Sequence, residues 1–312
     1  MIRFLYFYLR SMRLYYCFVT GAATLAGVVT AHAYFSSFAW GLRDAAVLAI
    51  GFLAWGVNQI FSDWYDCKED AVNAPHRPMV TGELAPRPAL CLSGALMAVF
   101  AVTAWLISPL SFKALIVGGL LNILYSLLKK IPVVNTLVYG AAMACCSIFG
   151  LGVSPDIEIK SLAFLLILLV TFPSHVLMCH NSYFKDIEGD RAAGLKTLPV
   201  LFPRFSLWLG MILTAGWTLY ITHNGLLCSS LSVRLEGFSW LVYLFLVLWL
   251  TARLLYCLWK KKYHNATGLN CQLCVMWLWF IPMIFSLYWL AGALVSFLLI
   301  HFLYKWYPDE KE

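Results

Sequence analysis

Nine stretches of this chain are almost free of charge: 14–33, 44–62, 88–108, 110–127, 133–152, 161–179, 205–223, 238–258 and 271–302. Their apolar residues run on continuously instead of alternating with polar ones. Each therefore predicts a helix and not a strand of a membrane barrel. At 1.5 Å per residue, each is long enough to cross a hydrocarbon layer about 30 Å thick. The last is longer than one crossing needs. It predicts either one tilted helix or a short pair, with Pro282 marking a break. The first follows Arg3, Arg10 and Arg13 and precedes Ala31-His32-Ala33, which gives it the look of a secretory signal. The run from Leu14 to Thr30 is longer than the core of such a signal, and the rest of the chain is equally apolar. It is read as the first membrane helix.

Composition agrees with the pattern. Of 312 residues, 62% are hydrophobic and 12% are charged, about half the charge of a soluble domain. A water-soluble enzyme is excluded. So is a nucleic-acid-binding chain, despite a net charge of +7. The fold class is all-α, a polytopic membrane protein of about nine helices in a single domain spanning 1–312.

The few cations are distributed unevenly. Arg3, Arg10 and Arg13 precede the first segment. Lys68, Arg77 and Arg87 follow the second, and Lys129 and Lys130 follow the fourth. Lys185, Arg191, Lys196 and Arg204 follow the sixth, and Arg253 and Lys260 to Lys262 lie around the end of the eighth. The intervening connections carry only Arg43, Lys113, Lys160 and Arg234. The positive-inside rule puts the first group in the cytoplasm. The cysteines lie mostly within apolar segments. Cys145-Cys146 and Cys271-x-x-Cys274 lack a His or a further Cys at metal spacing, and are read as packed thiols.

The acids are rarer and more tightly grouped. Asp63, Asp66, Glu69 and Asp70 end the second segment, and Asp186, Glu188 and Asp190 follow the sixth. If the helix continues past its apolar part, Asn58, Ser62, Asp66 and Asp70 recur every four residues on one face, with Asp63 beside them. Asp186 and Asp190 repeat the spacing. Carboxylates stacked in this way repel each other unless a cation lies between them. Four segments separate the two clusters, so both leave the membrane on the same side. This is the arrangement of a parallel repeat, 14–127 and 133–258, followed by the final helix or pair. Facing carboxylates suit Mg²⁺, which completes its shell with phosphate and water. Arg77, Lys129, Lys130, Lys185, Arg191 and Lys196 are placed to hold phosphate oxygens. A metal and a phosphate site at the mouth of an oily bundle imply a substrate with a diphosphate head and a hydrocarbon tail.

At these residues the chain resembles the UbiA superfamily of intramembrane prenyltransferases. The family pattern is Asn-x-x-x-Asp-x-x-x-Asp after helix two and Asp-x-x-x-Asp after helix six. The stretch from Ser62 to Gly82 is similar to chlorophyll synthases. The stretch from Lys185 to Pro199 is similar to the homogentisate and archaeal ether-lipid branches, and Tyr125-Ser126-x-x-Lys129 matches a short family motif after helix four. The chain departs from the pattern at Ser62, where the family has Asn. Asn58, one turn earlier, or Ser62 itself would take that role.

The resemblance implies a central cavity open near the cytoplasmic face and two Mg²⁺ ions. One ion would be held by Asp66 and Asp70 with support from Asp63, the other by Asp186 and Asp190. It implies substrate contacts from Asn58, Ser62, Arg77, Tyr125, Ser126, Lys129 and Arg191, with Lys185 at the reacting centre. Asn181, a polar residue within a membrane segment and one helical turn before Lys185, is read from its position as a further site residue. The metals would draw charge from a departing diphosphate. The allylic cation left behind would pass to an aromatic or other lipophilic acceptor. Trp55, Trp64, Tyr65, Tyr125 and Tyr183 are the aromatics nearest the motifs and the best placed to face that cation. His175 is read as making a structural hydrogen bond. A terpene cyclase on the same scaffold is the alternative, with the cation captured within its own chain. A secondary transporter is the third reading, but transporter sites usually lie near the midplane on broken helices.

Overall fold

The computed structural model describes residues 1–34, 40–154, 162–230 and 234–307. Lys160, counted above among the sparse cations, lies outside them. The described residues are helical, with no strand among them. Among the described residues, ten helices are long and apolar enough to cross a bilayer. They are α2 (Cys17–Tyr34), α3 (Leu42–Tyr65), α5 (Pro86–Ile107), α6 (Pro109–Leu127), α7 (Val134–Leu151), α8 (Leu162–Ser182), α11 (Pro203–Ser230), α12 (Arg234–Trp259), α13 (Tyr263–Phe285) and α14 (Trp289–Trp306). Four shorter helices lie between or before them: α1 (Ile2–Ser11), α4 (Cys67–Asn73), α9 (Ile187–Ala192) and α10 (Leu198–Leu201). The protein is an integral, multi-pass membrane protein.

The long last segment is a pair. It breaks after Phe285, while Pro282 stays inside α13. A proline within a membrane helix removes one donor that its neighbours can compensate. Here the backbone N–H of Ser286 still reaches the Pro282 carbonyl. The second member brings the chain back to the end where it began. The Tyr307 hydroxyl donates to the Leu9 carbonyl and accepts from the Leu14 N–H, both at 3.3 Å.

In lipid, packing rather than water exclusion holds helices together, so small residues mark the closest contacts. The central helix has this composition. From Thr20 to Gly27, α2 reads Thr-Gly-Ala-Ala-Thr-Leu-Ala-Gly, and nearly all of it is buried. A side chain at Gly27 would strike the α7 backbone at Ser147 and Leu151, and one at Gly150 would strike α2 at Thr24. The threonines of α2 bond their own helix, Thr24 to the Thr20 carbonyl at 2.9 Å and Thr30 to the Ala26 carbonyl at 2.7 Å. They present little polar surface to neighbours.

Polar bonds between helices fix the rest. Asn270 of α13 donates to the Met178 carbonyl of α8 at 2.8 Å, and Tyr243 of α12 donates to the Met276 carbonyl at 2.5 Å. Helices α2 and α13 are almost wholly enclosed, while α5, α6 and α14 turn most of their surface outward. His175 is fully buried, with Nδ1 2.6 Å from the Thr171 carbonyl of its own helix.

Candidate active site

Helices α2, α3, α5, α6, α7 and α8 surround one large cavity. It reaches from Asp66 to Ile50 along α3, sixteen residues or about 24 Å of helix. Counted together with the open solvent at its mouth, its free space is about 1510 Å³. Its mouth is polar, lined by Asp66, Glu69, Asp70, Asp186, Asp190, Arg77, Lys129 and Lys185. One to two turns below, Asn58, Ser62, Asn122 and Ser182 alternate with Tyr16, Trp55, Tyr125, Tyr139 and Tyr183. The deep end is mainly apolar, with Ile50, Met97, Ala114, Leu115, Met143, Cys145, Cys146 and Phe149, and with Thr24 beside Gly51.

The acids reach the mouth because both long helices stop short of them. Helix α3 ends at Tyr65, and Asp66 leaves helical geometry at φ −89° and ψ 10°. A new helix, α4, begins directly afterwards. The Asp70 N–H donates to the Asp66 carbonyl at 2.8 Å, so the two side chains keep their four-residue relation across the break. On the other side, α8 tightens into a 3₁₀ turn at Tyr183–Asp186 before α9 begins. The two acid-bearing turns are tied together: Asn73, at the end of α4, accepts from the Gly189 N–H of α9 at 2.8 Å.

Cations hold these carboxylates. Lys129 donates to Asp66 at 2.5 Å, and Arg77 pairs with Asp70 and lies 3.8 Å from Asp63. Asp190 accepts from the Thr197 hydroxyl at 3.3 Å. Burial pushes the Asp70 carboxyl up to about 6, against the opposing pull of Arg77. Buried acids whose charge is only partly compensated favour added positive charge. The donor set is all hard oxygen, which suits Mg²⁺ and not a thiolate-seeking metal. Among the described residues no group of three or more His, Cys, Asp or Glu is drawn together as a ready-made metal cage.

Most of the sequence-derived residues meet at this cavity: Asn58, Ser62, Asp66, Asp70, Arg77, Tyr125, Lys129, Lys185, Asp186 and Asp190 all line it. Four do not. Asp63 turns behind the wall, where it is 2% exposed and accepts from Arg13 at 2.5 Å and from Gln59 at 2.9 Å. Its carboxylate serves an arginine in the place expected for a metal. Asn181 donates to Thr214 of α11 at 3.0 Å, away from the mouth. The 3₁₀ turn after Ser182 breaks the one-turn relation that linked it to Lys185. Arg191 is exposed on α9, and the Ser126 hydroxyl faces its own helix at the Asn122 carbonyl. Among the aromatics, Trp55, Tyr125 and Tyr183 line the cavity, whereas Trp64 and Tyr65 are each 52% exposed outside it.

The sequence reading missed Arg13, Asn73, Asn122, Tyr139 and Cys179. Arg13 sits at φ 48°, a left-handed conformation uncommon outside glycine, where the chain turns from α1 into the bundle. That non-glycine bend aims its guanidinium at Asp63. The aromatics form a connected set. Tyr16 stacks on Trp55 at 4.7 Å, Tyr125 meets Tyr139 edge-on at 5.2 Å, and the Tyr183 hydroxyl donates to that of Tyr125 at 3.0 Å.

A sequence profile described as the UbiA prenyltransferase family matches residues 17–281. The chain belongs to this family. Among curated UbiA relatives, the digeranylgeranylglyceryl phosphate synthase of Thermococcus kodakarensis is 30% identical over 51% of this chain and 56% of its own. The chloroplastic chlorophyll synthase of Oryza sativa subsp. japonica is 31% identical over 59% of this chain and 53% of its own. The chain thus spans little more than half the length of these two relatives. A UbiA homologue from Archaeoglobus fulgidus, solved bound to GPP and Mg²⁺, superposes with a TM-score of 0.60 at 20% identity, covering 90% of this chain and 99% of its own. That likeness is one of fold.

Proposed function

We propose that this UbiA-family chain transfers a prenyl group from a prenyl diphosphate to a lipophilic or aromatic acceptor within the membrane, with Mg²⁺. One observation carries the reading: a single cavity joins paired carboxylates and cations at its mouth to an apolar depth enclosed by helices. A head bearing phosphate and a tail of hydrocarbon match the two ends. The relatives named as synthases of prenylated products, and the Archaeoglobus fulgidus homologue bound to GPP and Mg²⁺, support the same assignment.

Asp66 and Asp70 on one side, and Asp186 and Asp190 on the other, would hold Mg²⁺. The bound metal would neutralise charge on the departing diphosphate. The chain's own residues do the rest. Lys129, Lys185 and Arg77 bind phosphate oxygens. Lys129 already lies at Asp66, at the mouth where a phosphate would sit beside an acid holding Mg²⁺. Loss of diphosphate leaves an allylic cation beneath the mouth. The faces of Trp55, Tyr125, Tyr139 and Tyr183 stabilise positive charge there, and the helical wall keeps water from it. Asn58, Ser62 and Asn122 supply neutral hydrogen-bonding groups for an acceptor's polar end. The mouth is assigned to the cytoplasmic side because it lies among the Lys- and Arg-rich connections.

The test is to incubate the protein in lipid nanodiscs with Mg²⁺ and geranylgeranyl diphosphate, with and without membrane lipid extract. Diphosphate release and a prenylated lipid that needs the extract are expected. A cyclic hydrocarbon formed without extract would replace transfer with cyclisation on the same scaffold. No diphosphate release in either arm would overturn the reading.

A further inference from the structure

One glycine in the cavity wall has no local reason to be a glycine. Gly119 lies mid-way along α6, where glycine weakens a helix relative to almost any other residue. Its φ is not in the left-handed range, so backbone geometry does not require it. A Cβ built on it meets no atom within 4 Å, so close packing does not require it. Its neighbour behaves differently: a Cβ on Gly118 would lie 3.0 Å from the Cys145 Cβ of α7, and glycine there permits the helix contact. Gly94 and Gly216 also have open space around them, but neither lines the cavity. Gly119 does line it, in the stretch shared with Met97 and Leu115. What Gly119 preserves is empty volume.

The position of that volume indicates its occupant. Gly119 is ten residues before Lys129, about 15 Å farther into the bundle along α6. With C–C bonds near 1.5 Å, a four-bond isoprene repeat spans roughly 5 Å. A donor with its diphosphate at Lys129 would bring its second to third isoprene unit to Gly119. We propose that Gly119 is a specificity-determining residue, the notch in the wall that admits the tail of a prenyl diphosphate beyond its second unit. The proposal rests on the prenyl-diphosphate reading above. It makes the donor a long-chain one, and makes the space at Gly119 the limit on its length.

The test compares the wild type with Gly119→Ala and Gly119→Leu, using dimethylallyl, geranyl and geranylgeranyl diphosphates with Mg²⁺ and membrane lipid extract. The open space around Gly119 means both variants should fold, which thermal unfolding in detergent checks. The Leu variant should lose kcat/KM for geranylgeranyl relative to dimethylallyl diphosphate by roughly 10- to 200-fold, the range by which an apolar pocket discriminates. The Ala variant should lie between it and the wild type. An unchanged ratio in a folded Leu variant overturns the proposal. So does an equal loss for all three donors, which would place the acceptor at the notch. If the wild type consumes none of the three, the prenyltransferase reading itself fails, and that outcome is distinct from either of the others.

Discussion

The side-chain carbonyl of Asn73 accepts a hydrogen bond from the backbone N–H of Gly189 at 2.8 Å, joining two turns that are 116 residues apart in sequence. Each turn carries one of the two acid pairs. A Cβ at Gly189 would fall inside the Asn73 side chain. The two carboxylate clusters are therefore held at a fixed separation by one amide and one missing side chain. Gly189→Ala should lower turnover at least about 10-fold, the scale seen when an outer-shell partner of a metal site is lost. Adding Asn73→Ala should remove the clash and recover part of that loss. Steady-state kinetics on the two single variants and the double variant measure the coupling. Additive effects would contradict a direct contact.

Asp66→Asn and Asp190→Asn should each reduce turnover by about 100-fold or more while leaving the fold intact, because in the proposed reaction each would hold Mg²⁺ and the amide keeps the side chain's shape. Diphosphate release at saturating Mg²⁺, together with thermal unfolding, checks both halves of the statement. Near-normal activity in both variants would remove the carboxylates from the chemistry.

Asp63 should behave in the opposite way. It is buried and faces Arg13 and Arg77, not the cavity. Breaking such a buried pair costs about 3–5 kcal/mol. Asp63→Asn should therefore lower the unfolding temperature strongly. The concentration of Mg²⁺ needed for half-maximal activity should stay near that of the wild type in protein that remains folded. A large rise in that concentration, with stability unchanged, would restore Asp63 to the metal.

Lys129→Met removes the cation that holds Asp66 and, in the proposed reaction, a phosphate ligand. The KM for prenyl diphosphate should rise at least about 10-fold, as expected for a charge-assisted contact worth about 1.5–3 kcal/mol. Lys129→Arg should recover only part of this, since a planar fork cannot replace a point charge in a tight site. Initial rates across a donor titration provide the test.

Much of this site was legible because its chemistry repeats locally. Asn58, Ser62, Asp66 and Asp70 share a face by simple helical spacing, and all four line the cavity. That rule fails where the backbone changes period. Asp63 lies on the flank of the same helix, next to Gln59, and the 3₁₀ turn at Tyr183–Asp186 separates Asn181 from Lys185. Arg13 and Asn73 were illegible for another reason. Their partners are 50 and 116 residues away, and no pattern in either segment names them. The division of the last segment was legible in its length but not in its place. Proline suggests a break, yet the helix runs past Pro282, whose own carbonyl still accepts from the Ser286 N–H, and ends at Phe285.

The glycine contact between α2 and α7 has an electrical consequence. A cavity lined with ions that enters a membrane from one face would conduct if it continued to the other. At and below Thr24, Gly27 and Gly150 bring two backbones so close that no side chain, and no file of water, fits between them. Along the seam where α2 meets α7 the cavity therefore has no outlet, and ions drawn to its charged mouth find no path across the bilayer between these two helices.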